Sequence, residues 1–277
     1  MRDIHFTEGS LPGRAVLRIE GPEAAHFLHN LLTTDIEALE PGRAAYGALL
    51  TPQGKMLFDM FVARTEAGFL VDCAASQAAD LAKRLSLYKL RAKVTVSAGD
   101  GLHVGVAGTE PAEALRYVDP RCPTIGWRYI SEQQSPPAED YNAARIALGL
   151  ADTDDDLGSG DYFPHEANLD QLCGVSFKKG CYIGQEVVSR MEHRGTARNR
   201  ILPVELDGTP PAKGTVIRSG DKQIGTLLSS RGTMALALIR LDRLAEAAEP
   251  LLTDAVTVTV LKPRWARYDV PNAGDEA

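Results

Sequence analysis

Short apolar runs separated by turn-forming residues recur along most of the chain, and this pattern limits the fold more than any other feature. Runs of four to eight residues bounded by Gly, Pro, Asn or Asp are typical of strands. The turn signals lie at 52–54, 66–68, 207–208, 219–221 and 231–232. The sequence therefore predicts many short strands, and those beyond Arg200 are expected to form a small β-barrel or sandwich.

Helical periodicity interrupts the strands. After Gly21-Pro22-Glu23, apolar residues recur at helical spacing. These residues are Phe27, Leu28, Leu31 and Leu32. Further helices are predicted over 77–90, 138–148 and 185–191. Strands mixed with a few helices predict an α+β fold.

Two polar segments are expected to lie outside the packed elements. Residues 152–161 are acidic and rich in glycine, which favours an exposed loop. The acidic run lacks the Gly and terminal Glu of a calcium-binding EF-hand, so no metal site is predicted. The tail beyond Tyr268 is rich in small and acidic residues and is expected to fray.

The overall composition is that of a folded protein. The chain has 277 residues, of which 44% are hydrophobic and 24% charged, and it is long enough for two or three small domains. The first five residues lack the cationic and then apolar layout of a signal peptide, and no apolar run is long enough to span a bilayer. We therefore expect a cytoplasmic protein without a membrane partner.

The charge is unevenly distributed. A net charge of −7 and a pI near 5.4 disfavour a general nucleic-acid binder, which needs a concentrated positive surface. Residues 178–200 nevertheless contain six basic and two acidic residues, so this segment is +4 and the rest of the chain is −11. The segment could attract an anion, or it could be an ordinary solvated helix face.

Cys181 is the cysteine with the most distinctive setting. The four cysteines form no CxxC pair, so free thiols are expected. Cys181 follows Lys178 and Lys179 and precedes a predicted helix, where cations and backbone N–H groups favour a thiolate. The alternative is that it is a small buried apolar residue, the interpretation we prefer for Cys73. The segment 178–186 is thus the part of the chain best suited to carry function.

A second candidate group surrounds Glu166. The carboxylate follows a proline and lies near Tyr162 and Phe163, with Asn168 two residues beyond. Aromatic rings can stack on a flat heterocycle while one carboxylate accepts two parallel N–H bonds from it. The alternative is that Glu166 or Asn168 caps a short turn. His165 has no partner at metal-ligand spacing and is expected at the surface.

The residues around Cys181 resemble a known family. Residues 179–186, Lys-Gly-Cys-Tyr-Ile-Gly-Gln-Glu, with Arg190 and Arg194 downstream and 166–170 upstream, closely resemble the signature of the folate-binding YgfZ family. Residues 27–59 look like the related aminomethyltransferase of glycine cleavage. The likeness covers almost the whole chain. Mitochondrial members of the YgfZ family assist iron–sulfur cluster assembly.

The resemblance implies an aminomethyltransferase-like ring of three domains. A first, folate-binding-like domain would comprise 1–48 and 136–198, a ferredoxin-like insert 49–135, a C-terminal β-barrel 199–268 and a frayed tail 269–277. It also implies tetrahydrofolate, or a derivative, as ligand. The expected partners are iron–sulfur proteins or their assembly factors, with an indirect link to transfer RNA through radical enzymes that modify it.

The resemblance also implies roles for individual residues. Cys181 would be the key thiol and Glu166 the anchor of the pterin ring. Other residues would shape the ligand site, namely Tyr162, Asn168, Lys179, Gln185, Glu186 and Arg194. The thiol could accept a one-carbon unit, could bind or release iron or persulfide transiently, or could sense oxidation.

Two other functions remain open. The aminomethyltransferase carries paired aspartates where this chain has Phe58-Asp59, so ordinary glycine-cleavage activity is not expected. A tetrahydrofolate-dependent aminomethyl or methyl transferase that uses Asp59 is one alternative, and whether the protein is an enzyme is thus open. The other alternative is a binding module that docks on transfer RNA or a modifying enzyme through residues 178–200.

Overall fold

The computed structural model describes residues 5–195 and 197–274. The strands in these ranges are β1 (Gly9–Ser10), β2 (Arg14–Glu20), β3 (Ala44–Leu50), β4 (Met56–Arg64), β5 (Gly68–Ala74), β6 (Thr95–Ala98), β7 (His103–Ala107), β8 (Leu115–Val118), β9 (Trp127–Ser131), β10 (Asn199–Leu206), β11 (Val216–Ser219), β12 (Lys222–Arg231), β13 (Met234–Arg240), β14 (Leu251–Thr253) and β15 (Val256–Val260). The helices are α1 (Ala24–Leu31), α2 (Ala78–Tyr88), α3 (Tyr141–Ala147), α4 (Gln185–Arg194) and α5 (Leu241–Ala245). Over these two ranges, no helix has both the length and the apolar character needed to cross a bilayer.

A five-stranded antiparallel sheet forms the first layer, in the order β3-β4-β5-β2-β6. Helices α1 and α2 cover one face of it, because their apolar residues recur at helical spacing. Leu28 of α1 and Leu81 and Leu85 of α2 are fully buried there. The predicted domain boundary between residues 48 and 49 lies inside β3, so this sheet takes strands from both sides of it.

A four-stranded sheet, in the order β1-β7-β9-β8, packs against the first sheet. Val16 and Leu70 of the first sheet contact Val104 and Ile130 of the second in a small apolar cluster. Its two central strands, β7 and β9, are five residues long, in line with the many short strands that the sequence predicts.

A group of buried charges joins the two sheets. Asp72 of β5 accepts a hydrogen bond from Arg14 Nε at 2.6 Å and another from Arg128 Nη2 of β9 at 2.5 Å. The Arg128 guanidinium lies 4.0 Å from the centre of the Phe61 ring. Because buried charges are stable only when they are paired, this group fixes how β5 and β9 face each other.

The C-terminal strands close into a barrel, in the order β10-β13-β12-β11-β14-β15. Pairing of Val204 with Val260 joins its first and last strands. Its interior holds alternate apolar residues, among them Leu202, Ile217 and Ile239, all fully buried. Closure leaves no unpaired strand edge. The barrel predicted for this part of the sequence is confirmed.

The acidic segment is packed over Thr153–Leu157, so the expectation of an exposed loop was wrong there, whereas residues 158–161 form a largely exposed loop as expected. Residues Thr153–Leu157 form a single helical turn with Asp156 buried. The buried Arg145 donates to Asp156 at 2.7 Å and to Asp155 at 2.5 Å, and the amide of Ser229 also donates to Asp156. The guanidinium of the buried Arg145 balances the charge of these carboxylates, so this acidic run can be packed against the protein.

The tail is ordered further than expected. Val270 lies in the barrel core, and the amide of Gly274 donates to the carbonyl of Val260 at 2.9 Å. The prediction of a frayed tail is therefore wrong for residues 269–274, because an apolar anchor and a strand-like contact hold them. Residues 275–277 lie outside the described ranges.

Candidate functional site

Cys181 lies exposed in the segment 176–184, which we call the thiol loop, just before α4. Cys173 is the other exposed cysteine, whereas Cys73 and Cys122 are buried. Burial raises the pKa of the Cys73 thiol to about 12 and also raises the pKa of Cys122, so neither forms a thiolate readily. Exposure makes Cys181 available for chemistry.

Lys179 points into the protein and away from any ligand at the surface. Its ammonium donates to the carbonyls of Leu32 at 2.7 Å and Thr34 at 3.0 Å, and to that of His29. Burial lowers the pKa of Lys179 to about 8. The sequence placed Lys179 among the ligand-binding residues, but all three of its N–H groups face backbone oxygens.

Gly184 ends the thiol loop at a close contact with another turn. It has a φ of +80°, and a Cβ at this position would lie 2.6 Å from the carbonyl oxygen of Thr51. Only glycine satisfies both conditions without strain. Gly184 therefore fixes where α4 begins, and with it the distance between the helix and Cys181.

Helix α4 carries three of the predicted site residues. Gln185 opens the helix and is half-buried. Glu186 is 85% exposed and pairs with Arg190 at 2.5 Å, one turn further along. Arg194 lies exposed in the last turn. These side chains follow the helix from the thiol loop towards the barrel.

The positive charge of residues 178–200 is less accessible to a ligand than the composition of this segment indicates. Of its six cations, Lys179 is bound by carbonyls, Arg200 pairs with Asp170 at 2.6 Å and Arg190 pairs with Glu186. Lys178, Arg194 and Arg198 are exposed. Half of the positive charge is thus already used within the protein, which weakens the case for nucleic-acid docking at this segment.

Glu166 lies at a pocket of about 270 Å³ between α4 and the first barrel strands. Its carboxylate accepts hydrogen bonds from the amide of Phe163 at 2.9 Å and from Asn199 Nδ2 at 2.8 Å. Lys55 Nζ lies 3.9 Å from the same carboxylate and 4.0 Å from the centre of the Phe163 ring. The pocket is lined by Phe163, Glu166, Met191, Ala197, Arg198, Asn199 and Arg240.

These residues fit the ring end of a folate. A carboxylate and an aromatic ring share one pocket, and Arg198, which is exposed, could pair with a carboxylate of a glutamyl tail outside it. The volume is slightly below the range of about 300 to 1,000 Å³ typical of drug-sized ligands. The pocket therefore suits a pterin ring, with the rest of a folate lying outside it.

The two candidate groups lie at different places along one helix. Gln185 follows the thiol loop, and Met191 lines the Glu166 pocket. Six residues of α-helix rise about 9 Å, so α4 joins the two groups over a short distance. The sequence analysis did not identify Lys55, Asn199 and Arg240 as residues of this pocket. The one available signal was that Lys55 belongs to the stretch that resembles the aminomethyltransferase.

Tyr162 and Asn168 are occupied by structural contacts. The Tyr162 side chain is half-buried against a cluster of buried apolar residues that includes Tyr182, which we call the central apolar cluster. Asn168 is buried, donates to the carbonyl of Ile201 at 2.7 Å and accepts from the Tyr268 hydroxyl at 2.8 Å. Asn168 thus attaches the barrel to the preceding layer.

Asp59 is also committed to internal hydrogen bonds. It is 5% exposed, and its two oxygens accept from the hydroxyls of Tyr46, at 2.9 Å, and Thr153. Burial and the charge of Asp59 together raise the pKa of Tyr46 well above its usual value. This arrangement satisfies the buried carboxylate without a ligand.

His165 is buried, so its expected surface position was wrong. Its Nε2 lies 3.1 Å from Glu192, and ligand atoms of His165, Asp170 and Glu192 lie within 4.8 Å of one another. Such a group can hold a metal ion, but Arg200 already donates two hydrogen bonds to Asp170, at 2.6 and 3.0 Å. The guanidinium supplies the positive charge that a metal would bring.

Two family models match the chain. The C-terminal β-barrel domain of CAF17 matches residues 198–268, and the GCVT N-terminal domain matches residues 14–124. The solved structure of the glycine cleavage system aminomethyltransferase T from Bartonella henselae has a TM-score of 0.77 and 16% identity, covering 98% of this chain and 88% of its own. The predicted aminomethyltransferase-like fold is confirmed.

Proteins with high similarity over most of the chain are iron–sulfur cluster assembly factors. The mitochondrial factor IBA57 of Mus musculus is 33% identical, over 95% of this chain and 86% of its own length. The Homo sapiens factor is also 33% identical, over 83% of this chain and 76% of its own. The narrower resemblance to the folate-binding YgfZ family stays a prediction.

The comparisons correct one expectation. The similar proteins are named as mitochondrial factors in Mus musculus, Homo sapiens and Neurospora crassa. The expectation of a cytoplasmic protein is therefore wrong, and the comparisons point to the mitochondrion instead. The expectation depended on the composition of the first residues and on the lack of long apolar runs. These two features do not distinguish a cytoplasmic protein from a mitochondrial one.

Proposed function

The chain belongs to the IBA57 family of iron–sulfur cluster assembly factors, and from this premise we propose that it assists the assembly or repair of iron–sulfur proteins through the thiol of Cys181. The observation that carries the proposal is that the Cys181 thiol is exposed in a loop that is attached to the rest of the protein at both ends, through Lys179 and Gly184. Thiolates are the usual protein ligands of iron–sulfur clusters. An accessible thiol can bind or release iron or persulfide.

The proposed contact with iron or sulfur is transient. A resident cluster is usually held by four thiolates, whereas Cys73 and Cys122 are buried and only Cys173 is exposed besides Cys181. Cys181 would therefore act together with ligands from a partner, an assembly factor or an iron–sulfur protein. Radical enzymes that modify transfer RNA are among the proposed clients, which makes the link to transfer RNA indirect.

We also propose that the Glu166 pocket binds tetrahydrofolate or a derivative. Glu166 would accept N–H groups of the pterin ring, with Phe163 beside it and the exposed Arg198 available to a carboxylate. Tetrahydrofolate supplies one-carbon chemistry when it is bound. Asp59 is buried as well as hydrogen-bonded, which gives no support to the transferase alternative, so the folate is proposed as a ligand of an assembly factor.

Replacement of Glu166 by glutamine is expected to weaken tetrahydrofolate binding by about 10- to 100-fold, because hydrogen bonds to a charged group contribute roughly 1.5–3 kcal/mol. Binding is measured by calorimetry without oxygen. Glu246→Gln is the control, because Glu246 is 70% exposed directly after α5 and loses the same charge. Equal affinity in the folded Glu166→Gln protein would remove Glu166 from the ligand site.

The assembly role is tested by deleting the gene and measuring two enzymes of one compartment, one that contains an iron–sulfur cluster and one that does not. We expect only the cluster enzyme to lose activity, and we expect this chain to restore it. Equal activities of the cluster enzyme with and without the gene would contradict the proposed function.

A further inference from the structure

The last turn of α1 and the residues directly after it form a cage of carbonyl oxygens, which we call the carbonyl cage of α1. The last carbonyls of a helix have no partner within it, and the helix dipole places negative charge there. The carbonyls of His29, Leu32 and Thr34 converge on one point, which Lys179 Nζ occupies. Three donors on one ammonium meet three acceptors, so this contact is fully satisfied.

Other contacts hold the start of the thiol loop on the same turn. The amide of Ser176 donates to the carbonyl of Thr33 at 2.8 Å, and the Thr33 hydroxyl donates to the carbonyl of Gly174 at 2.6 Å. The amide of Lys179 donates to the Ser176 hydroxyl at 3.3 Å. The loop is thus fixed up to Lys179 by the residues that follow α1.

The end of the loop is fixed separately. Tyr182 is buried in the central apolar cluster, and Gly184 lies against the turn at Thr51. Between these attachments only Gly180 and Cys181 are exposed, and a Cβ on Gly180 would meet no atom within 4 Å. The thiol therefore lies at the tip of a two-residue projection, directly after the Lys179 anchor.

We propose that Lys179 is a positioning residue, whose ammonium fixes the thiol loop in the carbonyl cage of α1 and so determines where Cys181 is presented to a partner. This inference rests on the proposed function, because that function is the reason why the position of the Cys181 thiol matters. The neighbouring Lys178 is exposed and has no place in the cage. The two adjacent lysines therefore differ in role although they share the same charge.

The test attaches a nitroxide spin label to Cys181 in a Cys173→Ser background, where the other two cysteines are buried. Because the backbone is anchored on both sides of Cys181, the label is expected to show a motionally restricted component, called here the immobilised component, in the parent protein although its side chain is exposed. Lys179→Met is expected to lose the immobilised component, because the side chain keeps its length but no longer donates. Lys178→Met is the matched control and is expected to retain it.

Folding is checked by the melting temperature and by near-ultraviolet circular dichroism. If Lys179→Met does not fold, Lys179→Arg takes its place, since it retains the charge but cannot direct three donors to one point; a more mobile label is again expected. A folded variant whose label stays immobilised would overturn the positioning role. The spectrum requires no cluster, folate or partner, so this result is separate from any failure of the proposed function.

Discussion

Replacement of Cys181 by serine is expected to abolish the recovery of iron–sulfur enzyme activity in cells that lack the gene, without lowering the abundance of the protein. The side chain is exposed and differs from serine by a single atom, so folding should be unaffected. The substitution changes the chemistry of the side chain, because a cysteine thiolate binds iron and is a nucleophile towards sulfur, whereas a serine hydroxyl stays protonated. Activity should fall to the level of the deletion.

The matched control is Cys173→Ser, the same change at the other exposed cysteine. It should restore the cluster enzyme as well as the unchanged chain does. Equal recovery by both variants would remove the thiol from the mechanism and move attention to the pocket around Glu166. Failure of both variants at normal abundance would mean that Cys181 has no special role.

Replacement of Asp72 by alanine is expected to reduce the free energy of unfolding by about 3–5 kcal/mol, the usual cost of removing one partner from a buried ion pair. Arg14 and Arg128 would then lie buried with their main partner gone. Because domains are stable by only about 5–15 kcal/mol, this is the largest stability effect we expect from one substitution. Trp127 lies beside Arg128 on β9, so its fluorescence in urea reports the transition.

Asp242→Ala provides the comparison for Asp72→Ala. Asp242 pairs with Arg240 at 2.7 Å, but both side chains are more than a third exposed. Pairs of this kind contribute about 0–1 kcal/mol. A loss at Asp72 no greater than at Asp242 would show that the charges between the two sheets do not hold them together.

The sequence predicted most elements of the fold because their signals are local. Leu81 and Leu85 share a helix face, and the turns beyond Arg200 separate short apolar runs, so neither prediction depends on distant residues. The acidic run was misjudged because neither of its partners shows in the local pattern: Arg145 lies 11 residues before Asp156, and Ser229 lies 73 residues after it. Asp156 is packed only because Arg145 and the amide of Ser229 meet it.

The candidate site was predicted in the same uneven way. Motif and resemblance indicated Cys181 and Glu166, and the structure places the first at the surface and the second at a pocket. Lys179 was assigned to ligand binding, since the sequence gives no sign that its ammonium lies between carbonyls about 150 residues earlier. Asn168 shows the same limit, because its hydroxyl partner on Tyr268 is 100 residues away.

The bonds of Asn168 have a consequence during synthesis of the chain. During translation the thiol loop leaves the ribosome before the barrel residues do. Until the barrel has been synthesised, Asn168 lacks both Ile201 and Tyr268 as hydrogen-bond partners. Unpaired polar groups at a position that must be buried oppose compaction. We therefore expect a chain that ends before the barrel to be more accessible to chaperones and proteases than the full chain, and the surface around Cys181 to become ordered only once the barrel has formed.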